Sequence, residues 1–233
     1  ENDEGSIFLE PQPWAVISGH TSKEESEKLL NVVNQKLAAD YGVMICDPPI
    51  EKTDPHVIKA RLFNKGMKEN ASIFQHTQSW VVIAETLIGR GNLAYEYFRK
   101  FMPSAYNTQA ELRQTEPYVY AQFTCSKYNP HYGSSRLPWL SGTASWAYYT
   151  AAQFILGIQP EYFGLKIEPC IPAEWREIKI SRKFRNMNFD ILINNENASQ
   201  KGVIKIIFNN EEISGSLIPV VKMLNNNKVI VIL

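Results

Sequence analysis

The chain has 233 residues, of which 44% are hydrophobic and 21% charged, and its 24 basic and 24 acidic side chains give a formal charge of zero. This composition indicates a globular protein with one large domain, or with a medium and a small one, and excludes a disordered chain. A neutral chain without a basic field is not expected to bind nucleic acid or an anionic membrane surface, and its apolar runs are far shorter than the roughly 20 residues of a membrane span.

Helices dominate the predicted structure of the first two thirds of the chain. Pro11 precedes an apolar run that ends at Gly19, which predicts a short buried helix. Thr21 or Ser22 can cap a second helix, and the two together form an αα-hairpin. Residues 43–65 lose this pattern, apart from a short strand expected at 43–45, and form an extended, proline-stiffened loop of a length that is usually functional.

Further helices follow this loop. Segment 66–89 begins as a polar loop and continues as an apolar helix over about 74–88, which predicts one wall of a binding pocket. Residues 93–101 form another helix that Pro103 stops. Residues 128–138 are predicted to be a polar loop, and a long apolar helix is expected to open at 139–144 and to end at Gly157.

After Pro160 the pattern changes to short, largely alternating apolar segments separated by Asn-, Glu- and Gly-rich turns. This pattern predicts an antiparallel β-sandwich, with strands expected at 165–167, 178–180, 189–193, 203–208 and 229–233. The helix pairs before it suggest an α/α toroid made of hairpins. We therefore expect two domains, residues 1–160 and 161–233.

The three cysteines are informative about the cellular compartment, and the first residues about whether the chain is part of a longer protein. Cys46, Cys125 and Cys170 are odd in number and lack CxxC spacing, which indicates free thiols in a reducing compartment and predicts a cytoplasmic protein. The sequence starts without Met or a leader and enters a helical pattern almost at once. It is therefore expected to be the C-terminal part of a longer protein.

Polar groups gather at two predicted loop–helix junctions. Lys68 and Glu69 precede a buried helix with His76 at its start, and Ser141 and Gly142 precede another. A helix N-terminus with a hydroxyl group and a glycine is suited to an anion, and a nearby histidine adds a donor. The alternatives are an ordinary helix cap at 141–143 and a satisfied interior histidine at 76.

Other motifs of catalysis are absent from the sequence. Glu69 and Glu116 are the carboxylates best placed for sugar hydroxyls, but no glycosidase acid–base pair can be recognised. The sequence has no P-loop, GxGxxG, HExxH or GxSxG motif. His20, His56 and His131 have no partners at ligand spacing, so a metal site is not expected.

Five segments of the sequence resemble the C-terminal part of glycoside hydrolase family 94, which contains the cellobiose and chitobiose phosphorylases. They occur in the family's order, and the resemblance extends over nearly the whole chain. The segments are Lys-Glu-Asn with Ile-Phe-Gln-His at 68–76, Glu-Pro-Tyr-Val-Tyr-Ala-Gln at 116–122, Trp-Leu-Ser-Gly-Thr-Ala-Ser-Trp at 139–146, Ile-Leu-Gly-Ile at 155–158 and Ile-Glu-Pro-Cys-Ile-Pro at 167–172.

The resemblance implies an (α/α)6 barrel followed by a jelly-roll-like β-domain, and inverting phosphorolysis as the activity. In this reaction an aspartic acid protonates the glycosidic oxygen while inorganic phosphate attacks the anomeric carbon in place of water. The partners implied are a β-linked disaccharide and phosphate as co-substrate, with no cofactor. The full-length protein is expected to be a homodimer.

The resemblance also implies roles for individual residues. His76 matches a phosphate-binding histidine, Ser141 matches a phosphate-binding threonine, and Gly142 matches the glycine beside it. The positions that match residues lining the sugar subsites are Lys68, Glu69 and Gln122, with Tyr118 and Tyr120 as less secure additions.

This sequence departs from the family pattern in three places. Ala71 and Ser72 replace a Gly-Gly pair, and Ser141 replaces threonine but keeps the hydroxyl group. The Asp-Trp-Asn-Asp motif that holds the general acid in the family does not occur in this chain. The isolated chain is therefore expected to have no turnover. Two alternatives stay open: a non-catalytic carbohydrate-binding or scaffold portion of a glucan synthase-like protein, and a hydrolase of the same barrel class.

Overall fold

The computed structural model describes residues 3–233 and shows a mixed arrangement of helices and several small sheets. The chain divides into two compact units. One comprises the residues up to Ile88 together with Glu96–Tyr148, and the other comprises Gly89–Tyr95 and Tyr149–Leu233. Within residues 3–233, no helix has both the length and the apolar character needed to cross a membrane.

The first unit contains most of the helical residues and three small antiparallel sheets. The helices are α1 (Pro11–Ile17), α2 (Lys23–Lys36), α3 (Gln75–Leu87), α4 (Gly91–Phe101), α5 (Ala110–Arg113) and α6 (Thr143–Thr150). The start of α4 and the end of α6 belong to the second unit. The strand pairs are β1 (Ile7–Phe8) with β4 (Cys46–Asp47), β2 (Ala38–Ala39) with β3 (Gly42–Val43), and β5 (Ile73–Phe74) with β6 (Ala121–Thr124) and β7 (Ser135–Pro138).

The sequence signals of the first helices are confirmed. Ser22 caps α2 in a capping box, because its hydroxyl accepts from the Glu25 N–H while the Glu25 carboxylate accepts from the Ser22 N–H. The helix expected at 74–88 is α3, and Gly89 follows it at φ 88°, a left-handed conformation that favours glycine.

The central helix α3 is buried along most of its length and is tied to the neighbouring chain through one side chain. Gln78 is fully buried, and its amide accepts from the Val43 N–H at 2.7 Å and donates to the Val43 carbonyl at 2.8 Å. Val43 lies opposite Ala38 of β2, and these bonds satisfy its backbone N–H and carbonyl groups. They hold the start of α3 beside β3.

The segment between β7 and α6 differs from the prediction. Residues 135–138, expected in a polar loop, form β7 because β6 offers a free edge to their backbone groups. The helix expected to open at 139–144 begins only at Thr143, since Trp139 is in a left-handed conformation at φ 69°. After Thr150 the helix continues as a π-helix over Ala151–Ile155.

The second unit is built mainly of strands. A three-stranded sheet contains β8 (Ile158–Pro160), β9 (Gly164–Ile167) and β14 (Leu217–Pro219) in the order β14-β9-β8. A five-stranded sheet contains β10 (Glu177–Phe184), β11 (Met187–Asn194), β12 (Lys205–Phe208), β13 (Glu211–Ile213) and β15 (Asn226–Ile232) in the order β10-β11-β15-β12-β13.

The five-stranded sheet corrects one feature of the predicted antiparallel arrangement. Strands β11 and β15 are parallel, with Ile191 opposite Val229 and Ile193 opposite Val231, while the other pairs of this sheet are antiparallel. The prediction of purely antiparallel pairing is wrong here because β15 is separated from β11 by a long connection and inserts between β11 and β12. These alternating apolar side chains are buried and form the core of the unit.

Candidate functional site

The loop 66–72 of the first unit holds the predicted sugar-binding residues Lys68 and Glu69. Its position is fixed by Asn70, whose side chain is buried, accepts from the Ile50 N–H at 2.7 Å, and donates to the carbonyls of Ile50 and Phe63 at 2.9 Å each. Ala71 is fully buried in the left-handed conformation, at φ 61°. The loop thus accommodates a Cβ atom where the family commonly has glycine, and the Ser72 hydroxyl donates to the Lys68 carbonyl.

Lys68 and Gln122 come together across this loop. The Lys68 ammonium donates to the side-chain oxygen of Gln122, and it lies 6.0 Å from the centroid of the Phe123 ring. Gln122 is half-buried on β6, the central strand of its sheet. Since the lysine uses one N–H on the glutamine, its other N–H groups and the glutamine amide nitrogen are left as donors for hydroxyl groups of a ligand.

Glu69 is exposed. A second carboxylate, that of Glu10, is close enough to be affected by the negative charge of Glu69, and the sequence did not predict this. Glu10 is half-buried at the start of α1 and makes no capping bond to that helix. Burial raises the pKa of Glu10, and the negative charge of Glu69 raises it further. The only signal in the sequence would have been an acidic residue directly before the proline that opens a helix.

His76, the second residue of α3, lies among aromatic side chains. Its half-buried imidazole makes edge contacts with Phe74, at a centroid distance of 5.0 Å, and with Trp80, at 5.2 Å. Desolvation by these surroundings lowers the pKa of His76 below its usual value of 6.5. At neutral pH the ring is therefore neutral, with one nitrogen as donor and the other as acceptor.

Ser141 and Gly142 lie just before α6. The Ser141 hydroxyl accepts from the Thr143 N–H at 3.1 Å and shares a hydrogen bond with the Thr143 hydroxyl. It therefore satisfies one of the free N–H groups at the start of α6, while Gly142, directly before the helix, holds the N-cap position. Gly142 is exposed, and a Cβ atom placed there would meet only the Trp146 ring, at 3.9 Å. A ligand can thus approach this backbone closely.

Two tryptophans connect the corner at His76 with the corner at Gly142. The Trp80 ring contacts His76 and also Trp146, at a centroid distance of 5.9 Å. Trp146 lies one turn into α6 from Gly142, and its backbone N–H donates to the Gly142 carbonyl at 3.2 Å in the first hydrogen bond of that helix. Trp14 of α1 extends the series with a contact to Trp80 at 5.5 Å. The N-terminal ends of α3 and α6 are thereby linked through aromatic contacts, a connection that spacing in the sequence did not predict.

Tyr118 and Tyr120 have other neighbours. Tyr118 is 72% exposed and its hydroxyl accepts from the Asn107 amide at 3.4 Å, while the Tyr120 ring lies 6.0 Å from that of Phe101. Within residues 3–233 the structure gives no direct bond from either tyrosine to Lys68 or Gln122. Glu116, the other carboxylate noted for sugar hydroxyls, accepts from the indole N–H of Trp139 at 3.2 Å.

No group of three or more His, Cys, Asp or Glu side chains that could hold a metal ion occurs in the described part, residues 3–233. The arrangement that does occur has hydrogen-bond donors near exposed backbone, with carboxylates beside them. Such groups can bind a polar ligand and can position an anion, but they include no identified proton donor to a leaving group.

Residues 1–157 match the family model for the catalytic domain of the glycosyl hydrolase 94 superfamily. The match covers more than half of the chain, so the chain belongs to this superfamily and the resemblance recognised in its motifs is confirmed.

Among the named relatives, an N,N'-diacetylchitobiose phosphorylase of Vibrio proteolyticus is 33% identical over 100% of this chain and 29% of its own length. A solabiose phosphorylase of Paenibacillus borealis is 31% identical over 93% of this chain and 28% of its own. The cyclic beta-(1,2)-glucan synthase NdvB of Rhizobium meliloti is 29% identical over 88% of this chain and 7% of its own. The chain thus spans less than a third of the length of these relatives.

Proposed function

We propose that this chain is the C-terminal portion of an inverting glycoside phosphorylase, a glycosyltransferase of carbohydrate metabolism. The full protein would convert a β-linked disaccharide and inorganic phosphate into an α-sugar 1-phosphate and a free sugar. The observation that carries the proposal is the family match over residues 1–157, together with relatives named as disaccharide phosphorylases. Phosphate would be the co-substrate, with no further cofactor.

In this proposal His76, Ser141 and Gly142 form the phosphate pocket. The neutral imidazole of His76 would donate one N–H to a phosphate oxygen, and the exposed backbone at Gly142 would allow close approach of the anion. The contacts of Trp80 with His76 and with Trp146 support this grouping, since they tie both corners to one aromatic series.

Lys68, Glu69 and Gln122 would bind the sugar. The Lys68–Gln122 hydrogen bond supports a shared role, because it orients both side chains and leaves further donors on each. The exposed carboxylate of Glu69 would accept from sugar hydroxyls. Tyr118 and Tyr120 stay as candidates for this site, with the contacts to Asn107 and Phe101 as their present neighbours.

The finer architecture belongs to the same proposal. Residues 1–160 would be the C-terminal part of an (α/α)6 barrel, and residues 161–233 a jelly-roll-like β-sandwich domain. The full protein would be a cytoplasmic homodimer. The general-acid aspartate would lie in a part of the protein that this sequence does not include, so the chain alone would be inactive, since positioned groups cannot replace a missing proton donor.

The test is a phosphorolysis screen of the full-length protein across β-linked disaccharides, followed by kinetics of His76→Ala. We expect the KM for phosphate to rise roughly tenfold to a hundredfold, the loss of one hydrogen bond to a charged group, with little change in the KM for the disaccharide. His56→Ala, in an exposed loop, is the matched control. Unchanged phosphate dependence would remove His76 from the pocket, and turnover by residues 1–233 alone would refute their inactivity.

The alternative is a non-catalytic carbohydrate-binding or scaffold portion of a glucan synthase-like protein. The similarity to the Rhizobium meliloti glucan synthase favours it. Titration calorimetry distinguishes the two proposals, because a carbohydrate-binding portion would bind a β-glucan with an affinity that does not depend on phosphate.

A further inference from the structure

Arg113, the last residue of α5, carries a buried positive charge in the first unit. It is 4% exposed, and its guanidinium donates to the carbonyl of Glu116 at 3.0 Å and to the carbonyl of Val119. Across residues 3–233, no carboxylate oxygen lies within the 4.0 Å of an ion pair with Arg113. Two carbonyl groups satisfy some of its five donors but do not neutralise its charge.

The charges near Arg113 only partly compensate its burial. Desolvation lowers the pKa of Arg113, and the effects of Tyr106, Tyr120 and Glu116 offset only part of that decrease. Glu116 is exposed and its carboxylate is bonded to the Trp139 indole. A buried cation in such surroundings favours an additional negative charge close to it.

Arg113 lines a small cavity together with buried polar side chains, among them Gln75, Thr124 and Ser135, which are all at most 4% exposed. The cavity is small, with a volume of about 10 Å³. This is room for about one water-sized particle. Phosphate and sugars are therefore too large for it.

The hydroxyl groups beside this cavity leave one donor available. The Gln75 amide donates to the Thr124 hydroxyl at 3.0 Å, and the hydroxyls of Thr124 and Ser135 are 2.9 Å apart. Whichever of the two hydroxyls donates to the other, one hydroxyl proton is left for a further acceptor. The nearby Lys100 ammonium is already paired with Glu96 at 2.9 Å, and the Tyr106 hydroxyl donates to the Lys100 carbonyl.

We infer that this cavity is a binding site for one halide ion, chloride under ordinary conditions. The ion would accept from the remaining N–H groups of Arg113 and from the hydroxyl proton of the Thr124–Ser135 pair. A water molecule could accept the same bonds but would leave the arginine charge without a counter-ion. The inference does not depend on the proposed function, although Gln75 directly precedes His76 and the site would therefore stabilise the start of α3.

Crystals of the protein grown or soaked in sodium bromide test the site directly, because bromide scatters anomalously. We expect an anomalous difference peak in the cavity, within hydrogen-bonding distance of the Arg113 guanidinium. Density for an ordered water without an anomalous signal would overturn the inference, and so would a peak only at exposed lysines.

Thermal unfolding gives an independent measurement in solution. At fixed ionic strength, replacing gluconate by chloride should raise the unfolding midpoint by roughly 2 °C or more in a saturable way, since the ion binds the folded state. Ser135→Ala should weaken this response, and Arg113→Met should abolish it, while Lys127→Met, on the exposed surface, should retain it. An equal chloride response in Ser135→Ala and the unaltered protein would contradict the site even if Arg113→Met fails to fold.

Discussion

The environment of His76 determines the direction in which its pKa is shifted. Burial among aromatic rings lowers the pKa of the imidazole below 6.5, so the folded chain resists protonation more than the unfolded chain does. This side chain therefore destabilises the fold as the pH falls below about 6.5, the usual value for histidine. In an NMR titration its ring protons should shift with a midpoint below 6.5.

The resonance of His76 is assigned by its disappearance in His76→Asn, which should also reduce the loss of stability on acidification. A midpoint above 6.5 would show that a negative charge, and not desolvation, dominates this site.

We expect Asn70 to stabilise the loop that carries Lys68 and Glu69. Its buried amide makes three hydrogen bonds to the backbone of Ile50 and Phe63. Asn70→Ala removes all three and leaves buried polar groups unsatisfied, so the free energy of unfolding should fall by about 3 kcal/mol in urea denaturation. Asn64→Ala, exposed in the same region, should change it by less than about 0.5 kcal/mol.

Single residues of the site were predictable only where chemistry and local pattern coincide. The positions of His76 and Ser141 at loop–helix junctions follow from polar groups placed before apolar helices, while their roles in binding stay predictions. The left-handed conformation of Ala71 could not be predicted, because a residue with a Cβ atom rarely adopts it. The proximity of Glu10 to Glu69 depends on how the chain folds back, which no spacing in the sequence reveals.

At the scale of elements, the contact between Trp80 of α3 and Trp146 of α6 should couple the two helices energetically. Edge-to-face aromatic pairs contribute about 0.5–1.5 kcal/mol beyond the area they bury. A double-mutant cycle with Trp80→Leu and Trp146→Leu should give a coupling energy in this range. A control cycle that combines Trp80→Leu with Trp139→Leu, at an exposed tryptophan, should give effects that are additive within about 0.5 kcal/mol.

In the full-length protein, Trp80→Leu should also raise the KM for phosphate and leave that for the disaccharide nearly unchanged. If stability falls without this selective change in KM, Trp80 is only a packing residue and does not position His76.

Elements with clear periodicity and end signals were predicted well. The helices α1 to α4 and most strands of the second unit occur close to where apolar spacing placed them. Strands β7, β8, β13 and β14 were among those missed, because each is short and is defined by its pairing with another strand. Short strands of this kind have too few alternating residues to be recognised alone.

At the scale of the whole molecule, Glu4 ties the start of the chain to the loop near residue 52. Burial alone would raise the pKa of Glu4, but hydrogen bonds from Thr53, Glu51 and Lys52 lower it to about 2. Because the folded-state pKa lies below the usual 4.5, Glu4 stabilises the fold above that pH, and this contribution is lost as the pH falls toward 2.

Glu4→Gln should therefore be less stable than the unaltered chain at pH 7, and the difference should vanish as the pH approaches 2 in acid unfolding followed by circular dichroism. Glu174→Gln, at an exposed position, should show no such difference. A Glu4→Gln difference that persists at pH 2 would mean that the carboxylate charge is not responsible.

The division of the chain into units was harder to predict than its elements. Composition changes visibly near residue 160, but residues 89–95 belong to the same compact unit as the strands that follow Tyr149. A segment that belongs to a later part of the chain has no local signature. For this reason the proposed boundary between residues 160 and 161 stays a prediction.

The central position of β15 has a consequence for biosynthesis. Hairpins β10–β11 and β12–β13 leave the ribosome before β15. Each hairpin then has one unpaired edge, and β15 later pairs with both of these edges. Until residues 226–232 emerge, these two edges are open to pairing with other nascent chains. A nonsense codon shortly before this segment would therefore yield a product prone to aggregation and dependent on chaperones, because both edges would stay unpaired.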